Sequence, residues 1–428
     1  MQRQAGFFDV MAFRDFRLLW FGQFISMSGS MMRVVAVDWQ VYHLALAHGM
    51  SPALALGTMG LMRVIPMVLS ALFAGVAADR YDRRRIVIIA SLVSLVSSVI
   101  LAITAGYPDL PLWIIYSTVI ITSIAGAFDF PARQALIPAL VPASHLSQAM
   151  SAGVLSWQLA TVVGPALAGL IIAGYGVVPL YWFDAVSFLA VVIAAQQLRS
   201  VPQTATNTTV DFRDALSGIR FVFSRPLLAS SMSLDFFATL FGAATSLMPI
   251  FATDILHVGA TGYGLLRTAP AIGSVLAATI LASRRIPRQG PVLLIAVVLF
   301  GLSISVAGIS HWFPLTLLAL ACSGASDTVS AVIRNTLNQL LTPNEMRGRM
   351  TAVNMIFVSG GPQLGEFVVG VAASIVGASI AVAVGGLLCV GVVGSVAWLV
   401  PSLRRLNHPE DVMVIGDGTT APTPPQSA

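Results

Sequence analysis

Long apolar segments alternate along the chain with short polar gaps, and twelve of these segments are long enough to cross a membrane as helices. A helix rises about 1.5 Å per residue, so about 20 apolar residues cross a hydrocarbon core of about 30 Å. The pattern therefore predicts an all-α integral membrane protein with twelve transmembrane helices. Predicted helices 1 to 12 cover residues 16–43, 54–77, 86–105, 111–131, 146–173, 177–198, 226–254, 260–283, 290–310, 312–335, 349–377 and 379–401.

Arginine is distributed unevenly between the gaps. The sequence has 23 arginines and no lysine, and 20 of the arginines lie in or beside every second gap, whereas the alternate gaps have none. Cationic loops stay on the cytoplasmic side during insertion, so the pattern predicts a multi-pass protein of the cytoplasmic membrane with both termini inside. The other arginines, Arg33, Arg63 and Arg267, lie within predicted helices, where a charge is costly and marks a candidate functional position.

Composition supports a membrane protein and argues against other classes. The 428 residues are 57% hydrophobic and 10% charged, with a mean hydropathy of +0.86. A net charge of +5 would suggest nucleic acid in a soluble protein, but here the charge lies at the predicted membrane surface, so we expect no nucleic-acid partner. The two cysteines and six histidines show no metal-ligand or catalytic spacing, and we expect no metal, no cofactor and no enzyme activity.

The polar gap in the middle of the chain divides the predicted helices into two groups of six. Its second part carries apolar residues on one helical face and arginines on the other, which is typical of a helix that lies on a membrane surface. The predicted organisation is an N-terminal six-helix bundle over residues 1–198, a cytoplasmic linker with an amphipathic helix over 199–225, a C-terminal six-helix bundle over 226–402, and a disordered cytoplasmic tail over 403–428.

The two groups of helices look like copies of one another. Chance similarity between apolar helices would match leucines and alanines, whereas here rare residues match at equivalent depth. A duplicated six-helix unit is the internal symmetry of alternating-access transporters, which bind substrate between the copies. The matches, at offsets of 204 and 201 residues, are Leu61–Pro66 with Leu265–Pro270, Arg133 with Arg334, and Gly164 and Gly169 with Gly365 and Gly370.

The segment Gly75–Arg85 resembles the signature loop of the major facilitator superfamily, whose pattern is G-x-x-x-D-R-x-G-R-R. The chain departs from the pattern with Asp82 in place of glycine. With Phe16-Arg17, Asp129–Gln134 and Pro343–Arg349, the variant is similar to the branch that holds the enterobactin exporter and macrolide and multidrug efflux proteins. The resemblance covers residues 14–402 and implies two pseudo-symmetric six-helix bundles. It also implies a gating loop that latches one conformation, formed by Gly75, Asp79, Arg80, Asp82, Arg83 and Arg84.

Predicted helix 5 contains Gly164, Pro165 and Gly169, which resemble the antiporter motif of this superfamily with alanine at two glycine positions. Small residues at this spacing also allow tight helix packing, and proline bends a helix, so packing alone is an alternative explanation. The motif favours export. Predicted helix 4 lacks the internal arginine of many antiporters, so the proton role of that residue is not carried over.

Acidic residues outnumber arginines inside the predicted helices. The predicted helices contain five acidic residues and three arginines, Arg33, Arg63 and Arg267, so one-to-one pairing leaves two carboxylates without an arginine. A carboxyl group without a counter-charge binds a proton more readily, which makes these residues candidates for proton coupling. Glu366 is the first candidate, because it lies mid-membrane without an arginine one turn away. The acids are Asp38, Asp184, Asp235, Asp327 and Glu366, of which Asp235 and Asp327 are the next candidates.

The remaining intramembrane charges predict a structural network more than a substrate site. Its members fall mainly in the outer half of the first bundle and comprise Arg33, Asp38, Arg63, Asp184 and Arg267. Three further residues within predicted helices are candidates for the substrate cavity, namely Gln23, Trp157 and Gln158.

These observations predict a monomeric secondary active transporter whose partners are a small-molecule substrate, protons and the lipid bilayer. We expect export of a small organic molecule, such as a siderophore or an amphipathic drug, by proton antiport. Two alternatives stay open at this point. One is a proton-coupled uptake symporter, and the other is a membrane sensor or scaffold that does not transport.

Overall fold

The computed structural model describes residues 7–107, 109–198, 220–283, 286, 288–343 and 346–406. These residues form long helices in the order that the apolar segments predict. Twelve helices of the described chain are numbered here in that order: α1 is Arg14–Ala47, α2 Pro52–Arg80, α3 Arg83–Thr104, α4 Leu112–Leu140, α5 Leu146–Tyr175, α6 Val178–Gln197, α7 Pro226–Phe241, α8 Gly259–Ala282, α9 Gln289–Ile309, α10 Phe313–Leu341, α11 Arg347–Val376 and α12 Ala378–Leu399. Short helices at Phe7–Met11 and Pro401–Arg404 precede α1 and follow α12.

Eleven of the twelve correspond to spans that are long and apolar enough to cross a membrane, and for α7 this span continues to Ile255. The other is α1, which is 34 residues long and contains Arg33 and Asp38. Both charged side chains have partners of opposite charge inside the protein, and such pairing lowers the cost of placing them in a membrane. The predicted all-α fold with twelve membrane helices is confirmed.

The seventh span is interrupted, although the sequence predicts one continuous helix over residues 226–254. Its regular part, α7, has 16 residues, and the chain then passes through short 3-10, α and π turns to Ile255. Gly242 follows α7 directly, and a Cβ at this position would collide with the ring of Phe300. Glycine destabilises a helix, and Pro249 cannot donate a backbone hydrogen bond, so both residues favour the interruption.

Helices α4 and α10 extend beyond their predicted ends at residues 131 and 335, to Leu140 and Leu341. As a result, Arg133 lies inside α4 rather than in the gap after it, and Arg334, which is next to the predicted end of helix 10, lies two turns before the end of α10. Both are buried, with 6% and 8% of their surface exposed. The longer α4 therefore contains an arginine, which lies beyond the predicted membrane span of helix 4. Each guanidinium has a carboxylate partner, which makes burial of the charge tolerable.

The described residues form two compact units whose boundaries differ from those of the predicted bundles. Unit 1 comprises residues within Met1–Val210, Thr245–Ala271 and Gly370–Ala378. Unit 2 comprises residues within Asp211–Ala244, Ile272–Val369 and Ser379–Ala428. Unit 1 thus includes three pieces of the second half of the sequence, from the end of the seventh span, the start of α8 and the end of α11.

In unit 1, α1 packs against α5 and α6, α3 against α4 and α6, and α2 against α4. The apolar core where α1, α3, α4 and α6 meet contains Leu19, Val87, Leu136 and Val191. Glycine lets the helices approach closely, since a Cβ on Gly22 of α1 would lie 3.3 Å from the Cβ of Ala194 in α6.

The helices of unit 2 pair in the order that the duplication predicts. Helices α9 and α10 pack together, as α3 and α4 do in unit 1. Glycine contacts show the other equivalent pairs: Gly301 of α9 meets α12, Gly273 of α8 meets α10, and Gly365 of α11 meets α7. The repeated order of packing supports a duplicated unit independently of the matching residues.

The chain after α12 stays in the folded core beyond residue 403, where the sequence predicts that a disordered tail begins. Leu403 and Leu406 are both fully buried in the core of unit 2, beside Leu293. The amide of Gly290 also donates a hydrogen bond of 3.0 Å to the carbonyl of Leu406. The predicted tail over residues 403–428 therefore includes four residues that belong to the folded unit, and the rest of it lies outside the described residues.

Only the last six residues of the predicted linker over 199–225 belong to the described chain. Among them Val222 is buried against Leu228, Met232 and Met350 of unit 2. The residues that predict an amphipathic helix, apart from this end, lie outside the described part. The linker assignment consequently stays a prediction.

Candidate functional site

The first charge cluster of unit 1 is centred on Asp184 of α6, which is fully buried. Its Oδ2 lies 2.9 Å from Nε of Arg33 in α1 and accepts a hydrogen bond of 2.6 Å from the hydroxyl of Ser98 in α3. The hydroxyl of Ser30 donates to Oδ1 at 3.3 Å. Arg33 in turn donates to the hydroxyl of Thr122 in α4 at 3.3 Å. One ion pair thus ties together α1, α3, α4 and α6.

The second cluster of unit 1 is centred on Asp38 of α1. Its Oδ1 lies 2.8 Å from Nη2 of Arg63 in α2, and its Oδ2 lies 3.6 Å from Nη1 of Arg267 in α8. Arg267 also donates a hydrogen bond of 3.0 Å to the carbonyl oxygen of Thr245. The two arginines occupy matching positions in the duplicated sequence, so a single carboxylate serves both copies of the arginine.

Further contacts near Asp38 involve residues that the sequence analysis did not select. The hydroxyl of Tyr42 in α1 donates to Oδ1 of Asp254, which also accepts a 2.9 Å bond from Thr253. Tyr263 of α8 donates to the carbonyl of Val35 at 3.3 Å. Tyrosine on an apolar helix carries little sequence signal, because its ring suits a core and only the tertiary partner reveals the role of its hydroxyl.

Unit 2 contains a third cluster, formed by α7 and α10. Nη2 of Arg334 lies 2.7 Å from Oδ1 of Asp235 in α7 and 3.6 Å from Oδ1 of Asp327, two turns earlier in α10. Nη1 of Arg334 donates a short hydrogen bond to the hydroxyl of Ser330. The structure therefore brings together two of the three predicted proton-coupling acids. Sequence analysis missed the arginine between them, although its match to Arg133 was a signal.

Glu366, the third predicted coupling residue, is buried in α11 with 8% of its surface exposed. The adjacent Gly365 packs against α7, where a Cβ would lie 2.8 Å from the carbonyl oxygen of Thr239. Gly361 approaches the same helix, at Phe236. These glycines let the backbones of α11 and α7 approach closely. Glu366 is therefore part of a helix that packs against α7, the helix that carries Asp235.

The predicted gating loop is almost entirely helical. Gly75 and Arg80 lie in the last turns of α2, and Arg83 begins α3, so only two residues connect these helices. Asp82 caps α3 by accepting a 2.9 Å hydrogen bond from the amide of Arg84. This explains how aspartate replaces the glycine of the family pattern, since aspartate is a favourable helix N-cap. The surroundings of Gly75 and the side chain of Asp79 lie outside the described part of the chain.

The arginines at the start of α3 bind the ends of neighbouring helices. Arg83 donates a hydrogen bond of 3.1 Å to the carbonyl of Ala135 in α4. Arg84 donates a short bond to the carbonyl of Gln196 in α6. Helix carbonyls near a C-terminus carry partial negative charge, so these contacts attach α3 to the ends of two helices of unit 1.

The glycines of the α5 motif lie at close helix contacts within unit 1. A Cβ on Gly164 would lie 2.6 Å from the Cβ of Met31 in α1, and one on Gly169 would lie 2.7 Å from Cα of Gly264 in α8. The repeat-related Gly370 of α11 has the same kind of contact, 2.5 Å from Cα of Gly57 in α2. The motif thus marks a pair of backbone contacts that recur with the duplication.

The three predicted cavity residues are found on α1 and α5, which pack together. Gln23 and Gln158 are partly buried, whereas 47% of the surface of Trp157 is exposed. No contact described for these side chains defines a binding site, and their role stays a prediction.

Solved transporters share this fold. A POT family transporter in complex with 5-aminolevulinic acid matches with a TM-score of 0.75 at 13% identity, over 94% of this chain and 98% of that chain. A bacterial homologue of the human lysosomal transporter Spinster matches with a TM-score of 0.64 at 13% identity, over 96% and 99% of the two chains. The chain therefore has the fold of these membrane transporters.

The family model described as transmembrane secretion effector matches residues 6–412, so the chain belongs to this family of major facilitator superfamily transporters. The enterobactin exporter EntS of Citrobacter koseri is 27% identical over 425 residues, which are 96% of this chain and 99% of the exporter. The enterobactin exporter EntS of an Escherichia coli strain is 28% identical over 346 residues, 79% of this chain and 80% of that protein. The predicted resemblance to this branch is confirmed.

Proposed function

We propose that this protein exports a small organic molecule, of the siderophore or amphipathic drug type, across the cytoplasmic membrane by proton antiport. The observation that carries export is the similarity to enterobactin exporters over nearly the whole of both chains. Similarity confined to a few helices would support only the fold. Here the match extends through both copies of the duplicated unit, so it includes the helices that form the transport path in such proteins.

Alternating access is supported by the contacts that unit 1 makes with pieces of the second half of the sequence. Asp38 binds an arginine from each copy, and Arg267 keeps the carbonyl of Thr245 as a second partner. Asp38 and Arg267 each have a second partner, so the contact between them can break and re-form at a low cost in free energy. We infer that the Asp38–Arg267 contact is made in one transport state and broken in another.

Proton coupling is supported by the distribution of charge between the units. In unit 1 the buried acids Asp38 and Asp184 pair with the three intrahelical arginines already named. In unit 2 the acids Asp235 and Asp327 share the guanidinium of Arg334. Two acids that share one arginine favour the binding of a proton, and this arrangement supports proton coupling in unit 2.

The function is tested with purified protein in proteoliposomes and iron-free enterobactin as the probe. We expect transport from the side that corresponds to the cytoplasm, with accumulation when a pH gradient supplies inward proton flow. Accumulation in the opposite direction with the same gradient would favour the uptake symporter. Binding of enterobactin without any translocation would favour the sensor or scaffold and would remove the proposal.

A further inference from the structure

Arg334 is shared by two carboxylates, and the cluster holds more negative than positive charge. Its Nη2 lies 2.7 Å from Oδ1 of Asp235 and 3.6 Å from Oδ1 of Asp327, while Ser330 provides a neutral acceptor. Two carboxylates and one guanidinium leave a net charge of minus one. An uncompensated negative charge inside a membrane protein raises its free energy, and binding of a cation removes this penalty.

The matching arginine of unit 1 has no such excess. Arg133, 201 residues earlier, pairs through Nε with Oδ2 of Asp129 at 2.5 Å, and Nη2 also reaches the hydroxyl of Ser91 at 3.4 Å. At the position that matches Asp129, α10 has Ser330. The second copy thus has a neutral residue where the first has its acid, and it takes its acids from Asp235 and Asp327. The uncompensated charge is a property of the unit 2 copy.

The two acids differ in their surroundings. The side chain of Asp235 is 7% exposed, and that of Arg334 is 10% exposed, so each needs the other to stay charged while buried. The side chain of Asp327 is 47% exposed and makes the longer contact with Arg334. A carboxylate exposed on a membrane-spanning helix is too costly against hydrocarbon, so Asp327 faces water. It can exchange a proton with that water.

We propose that Asp327 is the proton-binding residue of this cluster, with Asp235 and Arg334 held as a permanent ion pair; the coupling part of this proposal rests on the proposed function. A proton from water binds the carboxylate of Asp327, and the net charge of the cluster changes from minus one to zero. Release of the proton restores the original charge.

Among the described side chains, Arg334 contacts Asp327 directly and also pairs with Asp235. Among the helices that pack in unit 2, α9 and the part of α8 after residue 271 have no titratable residue in their sequence. Asp235 is the one charged residue in α7. Helix α11 carries Glu366, with Arg347 and Arg349 in its first turn, and α10 itself also has Cys322. The charges that act on Asp235 are Arg334 and Asp327.

Protonation of Asp327 changes the connection between α7 and α10. With Asp327 ionised, Arg334 divides its attraction between an acid on its own helix and an acid on α7. With Asp327 protonated, Arg334 interacts mainly with Asp235. Each proton therefore strengthens the contact between the two helices, which links proton binding to helix packing within unit 2.

Infrared difference spectroscopy of the purified protein tests proton binding without a substrate. Between acidic and mildly alkaline buffers we expect a carbonyl-stretch band of a protonated carboxylic acid, lost in Asp327→Asn. Asp327→Glu should shift this band, because its frequency depends on the residue that carries the proton. Asp129→Asn is the matched control and should leave the band unchanged. A band that shifts in Asp235→Glu and not in Asp327→Glu would overturn the assignment.

Transport measurements test coupling through the same residue. In proteoliposomes with enterobactin, Asp327→Asn should keep substrate exchange near the wild-type rate and lose at least tenfold in export driven by a pH gradient. If the wild type itself shows no such export, the proposed function fails, whereas the infrared band still decides whether Asp327 binds a proton. Wild-type pumping by Asp327→Asn would overturn the coupling role of this residue.

Discussion

Asp38 of α1 lies 3.6 Å from Arg267 of α8, so a carboxylate from the first half of the sequence pairs with an arginine from the second half. The same carboxylate holds Arg63 at 2.8 Å. Duplication supplied two arginines at matching positions, but it left one acid to neutralise both. This arrangement makes Asp38 the most sensitive position of the unit 1 charge network.

We expect Asp38→Asn to destabilise the protein, because it removes the carboxylate that pairs with the largely buried Arg63 and Arg267. Removal of one partner of a buried ion pair costs about 3–5 kcal/mol. Thermal unfolding in detergent should therefore occur at a clearly lower temperature than in the wild type. Asp82→Asn is the control, since it changes a half-exposed N-cap and should shift the transition far less. Equal unfolding temperatures for the two variants would contradict the conclusion that Asp38 is the most sensitive position of this charge network.

Gly169→Ala should weaken transport by disturbing the contact between α5 and α8. The added Cβ would lie 2.7 Å from Cα of Gly264 and 2.8 Å from the carbonyl of Ala260, and neither backbone atom can move independently. The helices must separate, which disfavours the state in which they touch. Gly174→Ala in the same helix is the matched control, because nothing lies within 4 Å of its added Cβ. Initial rates of enterobactin export, normalised to protein in the membrane, provide the measurement.

Glu366→Gln should separate coupling from substrate transport. The amide has nearly the volume of the acid and resembles its protonated form, so binding and exchange of substrate should remain. Export against a concentration gradient, driven by a pH gradient, should be lost, because the side chain can no longer release a proton. If this variant pumps at the wild-type rate, Glu366 has a structural role in α11. Asp129→Asn serves as the control for loss of an acid elsewhere.

Cysteine labelling tests the predicted topology. After replacement of Cys322 and Cys389, single cysteines at Gly49, Asp109 or Gly259 should react with a membrane-impermeant reagent added outside intact cells. Cysteines at Tyr81 or Gln289 should react only after the membrane is permeabilised, because the arginine-rich connections stay on the cytoplasmic side. A single site with the reverse behaviour would refute the twelve-helix orientation at that point.

The charge clusters show which kinds of site residue can be identified from the sequence alone. Arg33, Asp38 and Asp184 stand out because a charge within an apolar helix is rare at any position. Arg334 does not stand out, since the arginine pattern places it at the end of a helix, and only the longer α10 brings it inside. Similarly, Asp82 looks like a departure from a family pattern until the structure shows that it caps α3.

The sequence by itself determined the number and order of the helices, the duplication and the family. These properties depend on local hydrophobicity, on motifs within one segment and on the distribution of arginine, all of which can be read along the chain. The tertiary structure decided which charges are partners. Whether Arg334 binds Asp235, or Arg267 binds Asp38, depends on helices far apart in sequence. Such pairs form through packing in three dimensions, and the order of residues along one helix does not contain that information.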